Sequence, residues 1–432
     1  MIHRVEEKVI PIPAARFGLW TYLLTIFLVA IAFYSAFFIA APDEFLQKPC
    51  GDCSAVHDNF LLGLGWVDSS GNFASTRPPF GILIRIGLKA SAIFFGMPEK
   101  LMIQFFNIVV MSLSAVVLYL ISRHVFNSEN VIVAPILWIS SPLSLWFLND
   151  AYSEVPFFLL FFLSSFFFLK TLKACGTSQI VWAAVTGCLI GSMILTRSIS
   201  VGLLLVFGLG FLVLLGRDQR FNKFKATTAL LVGAFIFIGP WSIIVYQETG
   251  KVQLFGSDTL TKQSLRNGVS FATDWDGDRQ SLIISSDTLE FAENLHIEIM
   301  RNTEKSPPQI IKKILEFSLQ TPLPAFKFYL MKVSRVWFGT YTHKGENFVI
   351  ALQIFYFALL LFCGWKSYQR KWGNREFIIF VSGLVGYFWI LGVIFEPLVR
   401  YMVAPMGLMF VFASVFGFEI KWLTKPVNDV SQ

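Results

Sequence analysis

Ten apolar runs divide this chain, near 17–41, 103–122, 131–148, 154–170, 180–196, 199–216, 226–246, 347–365, 377–394 and 402–420. A helix that crosses a bilayer needs about 20 mostly apolar residues, so each run is a candidate span. The first run carries no charge and no small-residue cleavage site follows it. It therefore reads as a retained helix and not a cleaved signal peptide. Two long polar segments, 42–102 and 247–346, interrupt the series. Within the first, Phe80 to Phe95 is apolar but broken by Arg85 and Lys89, the pattern of a helix lying on a membrane surface. Within the second, 309–318 is amphipathic. No internal repeat is visible, which speaks against a transporter built from two related halves. The expected fold is an all-α polytopic membrane protein of about ten transmembrane helices, with outward-facing surface helices and a small outer loop subdomain. Three parts follow: an N-terminal transmembrane module over 1–246, an outer loop region over 247–346, and C-terminal transmembrane helices over 347–432.

Composition agrees with this layout. Of 432 residues 55% are apolar and only 15% charged, against about 25% charged in soluble domains. That excludes a soluble enzyme, a coiled coil and a disordered chain. The net charge of +7 could suggest nucleic acid, but the basic residues have a layout. Arg4, Lys8, Arg16, Arg123, Lys170, Lys173, Arg217, Arg220, Lys223, Lys225, Lys366, Arg370, Lys371, Arg375, Lys421 and Lys425 all fall on one side of the series. Crowded into short loops, they mark the cytoplasmic side. Both termini are then cytoplasmic, and the plasma (inner) membrane is the expected location, with no nucleic-acid partner.

Candidate chemistry gathers on the far side. Carboxylates at a membrane rim are costly and call for a use. Three places stand out: Asp43, Glu44, Asp52 and Asp58 in the first loop; Asp150 and Glu154 in the hairpin before the fourth run; and Glu396 in the last outward hairpin. Glu154 opens a helix of almost pure Phe and Leu, where a helix-dipole role would account for it too. Arg77, Arg197 and Arg400 lie at the same rim, and guanidinium forks suit phosphate. Cys50 and Cys53 form a C-x-x-C that reads as a small disulfide or two free thiols. The run Asp274 to Asp278 lacks the twelfth-position Glu of a calcium loop and reads as a solvated turn.

These stretches carry a resemblance. Gly51-Asp52, then Gly63, Gly65 and Trp66, then Arg77-Pro78-Pro79, form one. The others are Glu154 in Tyr152-Ser153-Glu154-Val155-Pro156, Gly191 to Arg197, Pro240-Trp241 with Gly250, and Arg400-Tyr401 to Pro405. In this order the chain resembles the GT-C class of membrane glycosyltransferases. It is most similar to the superfamily of protein O-mannosyltransferases and the lipid A aminoarabinose transferase. Where that family has a Tyr shortly after its first-loop Asp, this chain has Ala55.

The resemblance implies inverting transfer of a sugar from a polyprenyl-phosphate donor to a hydroxyl acceptor on a lipid, glycan or protein, at the outer face. Asp52 is then the base, with Asp58 as the alternative, and Glu154 orients the acceptor or shares the proton. Arg197, Arg400 and Arg77 would hold the donor phosphate. Asp150, Tyr401 and His57 are expected to touch sugar or acceptor. Membrane lipid is a partner throughout. No metal and no other cofactor is expected. The competing reading is a polyprenol-linked lipid flippase or transporter. A polysaccharide ligase is disfavoured because 247–346 holds only His296 and His343.

Overall fold

The structure is a computed structural model that describes residues 18–40, 51–75, 78–129, 131–149, 153–216, 220–250, 258–270, 285–301, 306–340, 345–369 and 375–415. Its helices are α1 (Leu19–Ala40), α2 (Gly51–Leu61), α3 (Pro79–Phe95), α4 (Glu99–Phe126), α5 (Val133–Ser140), α6 (Pro142–Trp146), α7 (Glu154–Lys173), α8 (Thr177–Ile194) and α9 (Leu203–Leu214). They continue with α10 (Arg220–Thr249), α11 (Asp258–Ser270), α12 (Ser286–Arg301), α13 (Pro307–Gln320), α14 (Pro322–Arg335), α15 (Glu346–Gln369), α16 (Arg375–Ile394) and α17 (Val403–Met409). Among the described residues, β-structure is limited to one isolated bridge between Val67 and Phe73.

Among the described residues, seven helices are long and apolar enough to cross a membrane: α1, α4, α7, α8, α10, α15 and α16. This is a multi-pass membrane protein. The other three apolar runs are helical but shorter. Residues 131–148 break at Ser141, because Pro142 disfavours helical backbone in the residue before it and starts a new helix itself. Residues 199–216 open on a 3₁₀ turn, Ser198–Gly202, before α9. After α17 the chain continues as a 3₁₀ turn, Phe410–Ser414.

α7 is the centre of the bundle. Its Phe157, Phe158, Phe161, Phe162 and Phe168 are buried. Phe168 stacks on Phe380 of α16 at 4.3 Å and on Phe211 of α9 at 4.7 Å, while Trp138 of α5 meets Phe162 edge-on at 5.0 Å. Offset and edge-to-face pairs of this kind add to the area the rings bury. Several hydroxyls in the spans are satisfied within their own helix: Ser112, Ser122, Ser165 and Thr171 each donate to the carbonyl four residues back.

α8 and α10 touch backbone to backbone. A Cβ on Gly187 would lie 2.0 Å from the Leu230 carbonyl oxygen, and one on Gly191 2.6 Å from that of Ala234. Small residues spaced four apart allow such approach in membranes. Gly187→Leu is therefore expected to force the two helices apart and to cost about 1–3 kcal/mol or more. A lowered thermal midpoint in detergent checks this, and an unchanged midpoint contradicts it.

α11 to α14 form a second cluster beyond the spans, around Leu265, Phe291, Leu295, Ile310 and Phe328. α2 and α3 form a third, smaller one with Val56, Ala74, Ile82 and Ile86. Trp66 and Phe73 from the loop between them pack on Trp241 of α10, at 5.5 and 6.0 Å. The amphipathic helices expected near 80–95 and 309–318 are thus α3 and α13.

Candidate active site

Three chain segments meet at one rim of the bundle. The first is the N-terminus of α7, which begins at Glu154. The second is the turn after α8, where the amides of Thr196 and Arg197 both bond to the Met193 carbonyl and swing Arg197 into extended backbone. The third is the hairpin after α16, which leads through the 3₁₀ turn Val399–Tyr401. The start of α3 closes the group: the Phe80 amide donates to the Leu195 carbonyl at 2.8 Å, and Gly81 lies against Ser153.

Glu154 is only 4% exposed. It forms an ion pair with Arg197, and Arg400 approaches the same carboxylate oxygen at 3.9 Å. Arg400 also pairs with Glu396 at 3.2 Å. Its guanidinium donates to the Tyr401 hydroxyl at 3.0 Å, and that hydroxyl donates to Glu396 at 3.3 Å. Arg197 lies between the rings of Phe157 and Tyr401, 5.8 Å from each centroid. Burial raises the Tyr401 phenol above its ordinary range, so it remains a donor at neutral pH. Two arginines here face two buried carboxylates. Such a site can admit an anion by sharing guanidinium donors already fixed in place.

Of the residues named from sequence, Glu154, Arg197, Arg400 and Tyr401 come together. His57 and Asp58 do not join them. Asp58 pairs with Lys89 of α3, about 15 Å along that helix from Pro79. His57 is buried beneath α3, and desolvation pulls its imidazole down to about 4, with Arg85 acting in the same direction. Asp52 lies on α2, and its side chain is outside the described residues, as are Cys50, Arg77, Asp150 and the run at 274–278. Among the described residues no group of three or more His, Cys, Asp or Glu could hold a metal ion.

Two further residues touch the cluster without being foreseen. Asn267 of α11 donates to Glu396 at 2.8 Å. Lys332 of α14, 2% exposed, donates to the Phe395 carbonyl at 3.0 Å. Burial pulls its ammonium from 10.5 down to about 7, while Glu396 acts the other way. Between those values the unfolded chain binds a proton that the folded chain lacks. Lys332 thus adds stability as pH rises from about 7 toward 10.5. The gain in thermal midpoint from pH 7 to 9 is expected to be larger in wild type than in Lys332→Met. Equal gains contradict this.

Residues 77–244 match the family described as Dolichyl-phosphate-mannose-protein mannosyltransferase. The matched stretch is under half of the chain. It holds Glu154 and Arg197 and ends before Glu396 and Arg400. No curated protein sequence matches the chain. Solved structures show a likeness over most of the chain. One is the archaeal oligosaccharyltransferase AglB from Archaeoglobus fulgidus in complex with an inhibitory peptide and a dolichol-phosphate, at 13% identity and TM-score 0.52, covering 91% of this chain and 50% of that one. The A. fulgidus oligosaccharyltransferase tethered to an acceptor peptide containing the NVT sequon gives 14% and 0.54, over 91% and 49%. Its complex with Zn and sulfate gives 12% and 0.51, over 92% and 51%. The chain spans about half the length of these proteins. At such identity the likeness shows the fold alone.

Proposed function

We propose that the chain is a glycosyltransferase that moves a sugar from a polyprenyl-phosphate donor to a hydroxyl acceptor at the outer face of the plasma (inner) membrane. The observation that carries this reading is the convergence of Arg197 and Arg400 on Glu154 at one membrane rim. The family match to residues 77–244 supports the donor class. The crowding of basic residues into loops at the opposite end of the bundle supports an outward-facing site.

In the proposed step the acceptor oxygen forms a bond to the anomeric carbon as the bond from that carbon to the phosphate oxygen breaks, with inversion. The acceptor proton passes to a carboxylate. Asp52 takes it, and Glu154, fixed by two arginines, orients the acceptor. That Lys89 holds Asp58 supports Asp52 over Asp58 as the base. The polyprenyl phosphate that departs carries the developing negative charge, which Arg197 and Arg400 offset. A positioned base supplies about 10²–10⁴-fold and each fixed donor to the developing charge about 10²–10³-fold.

The test is transfer from a panel of polyprenyl-phosphate sugars by purified protein, with the product's anomeric configuration read by NMR. Inverted product from wild type, none from Asp52→Asn or Glu154→Gln, and full activity in Asp58→Asn are expected. Full activity in Asp52→Asn with Asp58→Asn inactive would move the base. Retained configuration would overturn the single-step mechanism.

A further inference from the structure

The hairpin that delivers Arg400 is gripped from outside the bundle. α11 comes so close to it that a Cβ on Gly268 would lie 1.8 Å from the Phe395 carbonyl oxygen. Lys332 of α14 reaches the same carbonyl at 3.0 Å and that of Ile394 at 3.4 Å. These carbonyls end α16, where the helix leaves acceptors unsatisfied and favours a cationic donor. One residue before Gly268, Asn267 donates to one Glu396 oxygen at 2.8 Å. The other Glu396 oxygen is thereby turned to Arg400 at 3.2 Å and to the Tyr401 hydroxyl at 3.3 Å. Glu396 is 4% exposed, so a lost donor there is not replaced by bulk water.

We propose that Asn267 and Lys332 are positioning residues that act through Glu396: from the α11–α14 cluster they fix this carboxylate so that Arg400 stays poised between Glu396 and Glu154 for the donor phosphate. The proposal rests on the transfer reading above. A Glu396 free to turn would pair fully with Arg400 and withdraw it from the phosphate. With one oxygen held by Asn267 and its backbone held by Lys332, Glu396 presents its other oxygen to Arg400. Arg400 then also faces Glu154 at 3.9 Å, where the departing phosphate would pass.

The experiment uses the full chain in lipid nanodiscs with a polyprenyl-phosphate sugar that wild type turns over. In Asn267→Ala and Lys332→Met, kcat is expected to fall about tenfold, while KM for the donor stays within about twofold. In a Glu396→Ala background, Asn267→Ala is expected to cost less than about twofold more, because the coupling runs through Glu396. Ile310→Ala, which loosens the same outer cluster from α13 and removes neither Asn267 nor Lys332, is expected to lower the thermal midpoint and leave kcat unchanged. The proposal is overturned if kcat in both variants stays near wild type. It is also overturned if the Asn267→Ala loss persists undiminished in Glu396→Ala, or if Ile310→Ala lowers kcat equally. A wild type that transfers no sugar from any donor overturns the function reading, and the proposal with it.

Discussion

Arg197→Ala is expected to lower sugar transfer by about 10²–10³-fold and to destabilise the fold by about 3–5 kcal/mol. The two losses have different origins. Removing the guanidinium takes a fixed donor from the position where phosphate charge develops. It also leaves Glu154, 4% exposed, with Arg400 at 3.9 Å as a distant ion partner. Arg197→Lys keeps the charge but not the planar fork, so it should recover more stability than activity. Glu154→Leu combined with Arg197→Met removes both charges. It should recover most of the stability and none of the activity, which separates the roles. Initial transfer rates and thermal midpoints measure them. A rate near wild type in Arg197→Ala would remove this residue from the site.

The second large effect is confined to stability. Arg335, 0% exposed at its side chain, pairs with Glu346 at the start of α15 and donates to the Thr340 carbonyl at 2.8 Å. The Thr340 amide donates in turn to Glu346 at 2.9 Å. The pair ties the end of α14 to the start of α15. Arg335→Met strands a buried carboxylate and is expected to cost about 3–5 kcal/mol. Arg335→Met with Glu346→Leu should recover part of that, since no buried charge is left alone while the Thr340 amide and carbonyl lose these partners. Denaturant or thermal unfolding of the single and double variants checks this. Equal destabilisation by both would contradict it.

The parts of this molecule that were legible from sequence are those where one residue type changes the local pattern. α7 is a run of Phe and Leu that begins at a lone carboxylate, so both the span and Glu154 could be read. Arg197 and Arg400 were readable for the same reason: each is a charge at the end of an apolar run. The 131–148 run was read as one span although Pro142 splits it, because hydropathy averages over the break while backbone sterics do not. Asn267 and Lys332 left no local signal. Their partners lie 129 and 63 residues away, and a polar segment offers no apolar period from which an inward face can be read. Glu396 was visible as a rim carboxylate, but its link to Arg400 and Tyr401 depends on the 3₁₀ turn at Val399–Tyr401. Trp66 donates to the Ala74 carbonyl and packs on Trp241, contacts that no local pattern announces.

The central claim is that the rim cluster breaks the bond between sugar and lipid phosphate and does not merely move the lipid. It is tested most directly with purified protein in vesicles and a donor labelled in both its sugar and its lipid. The account predicts one polyprenyl phosphate released for each sugar transferred, with both signals lost together in Glu154→Gln and in Arg400→Ala. Donor that crosses the bilayer intact, with no release of polyprenyl phosphate, would contradict it.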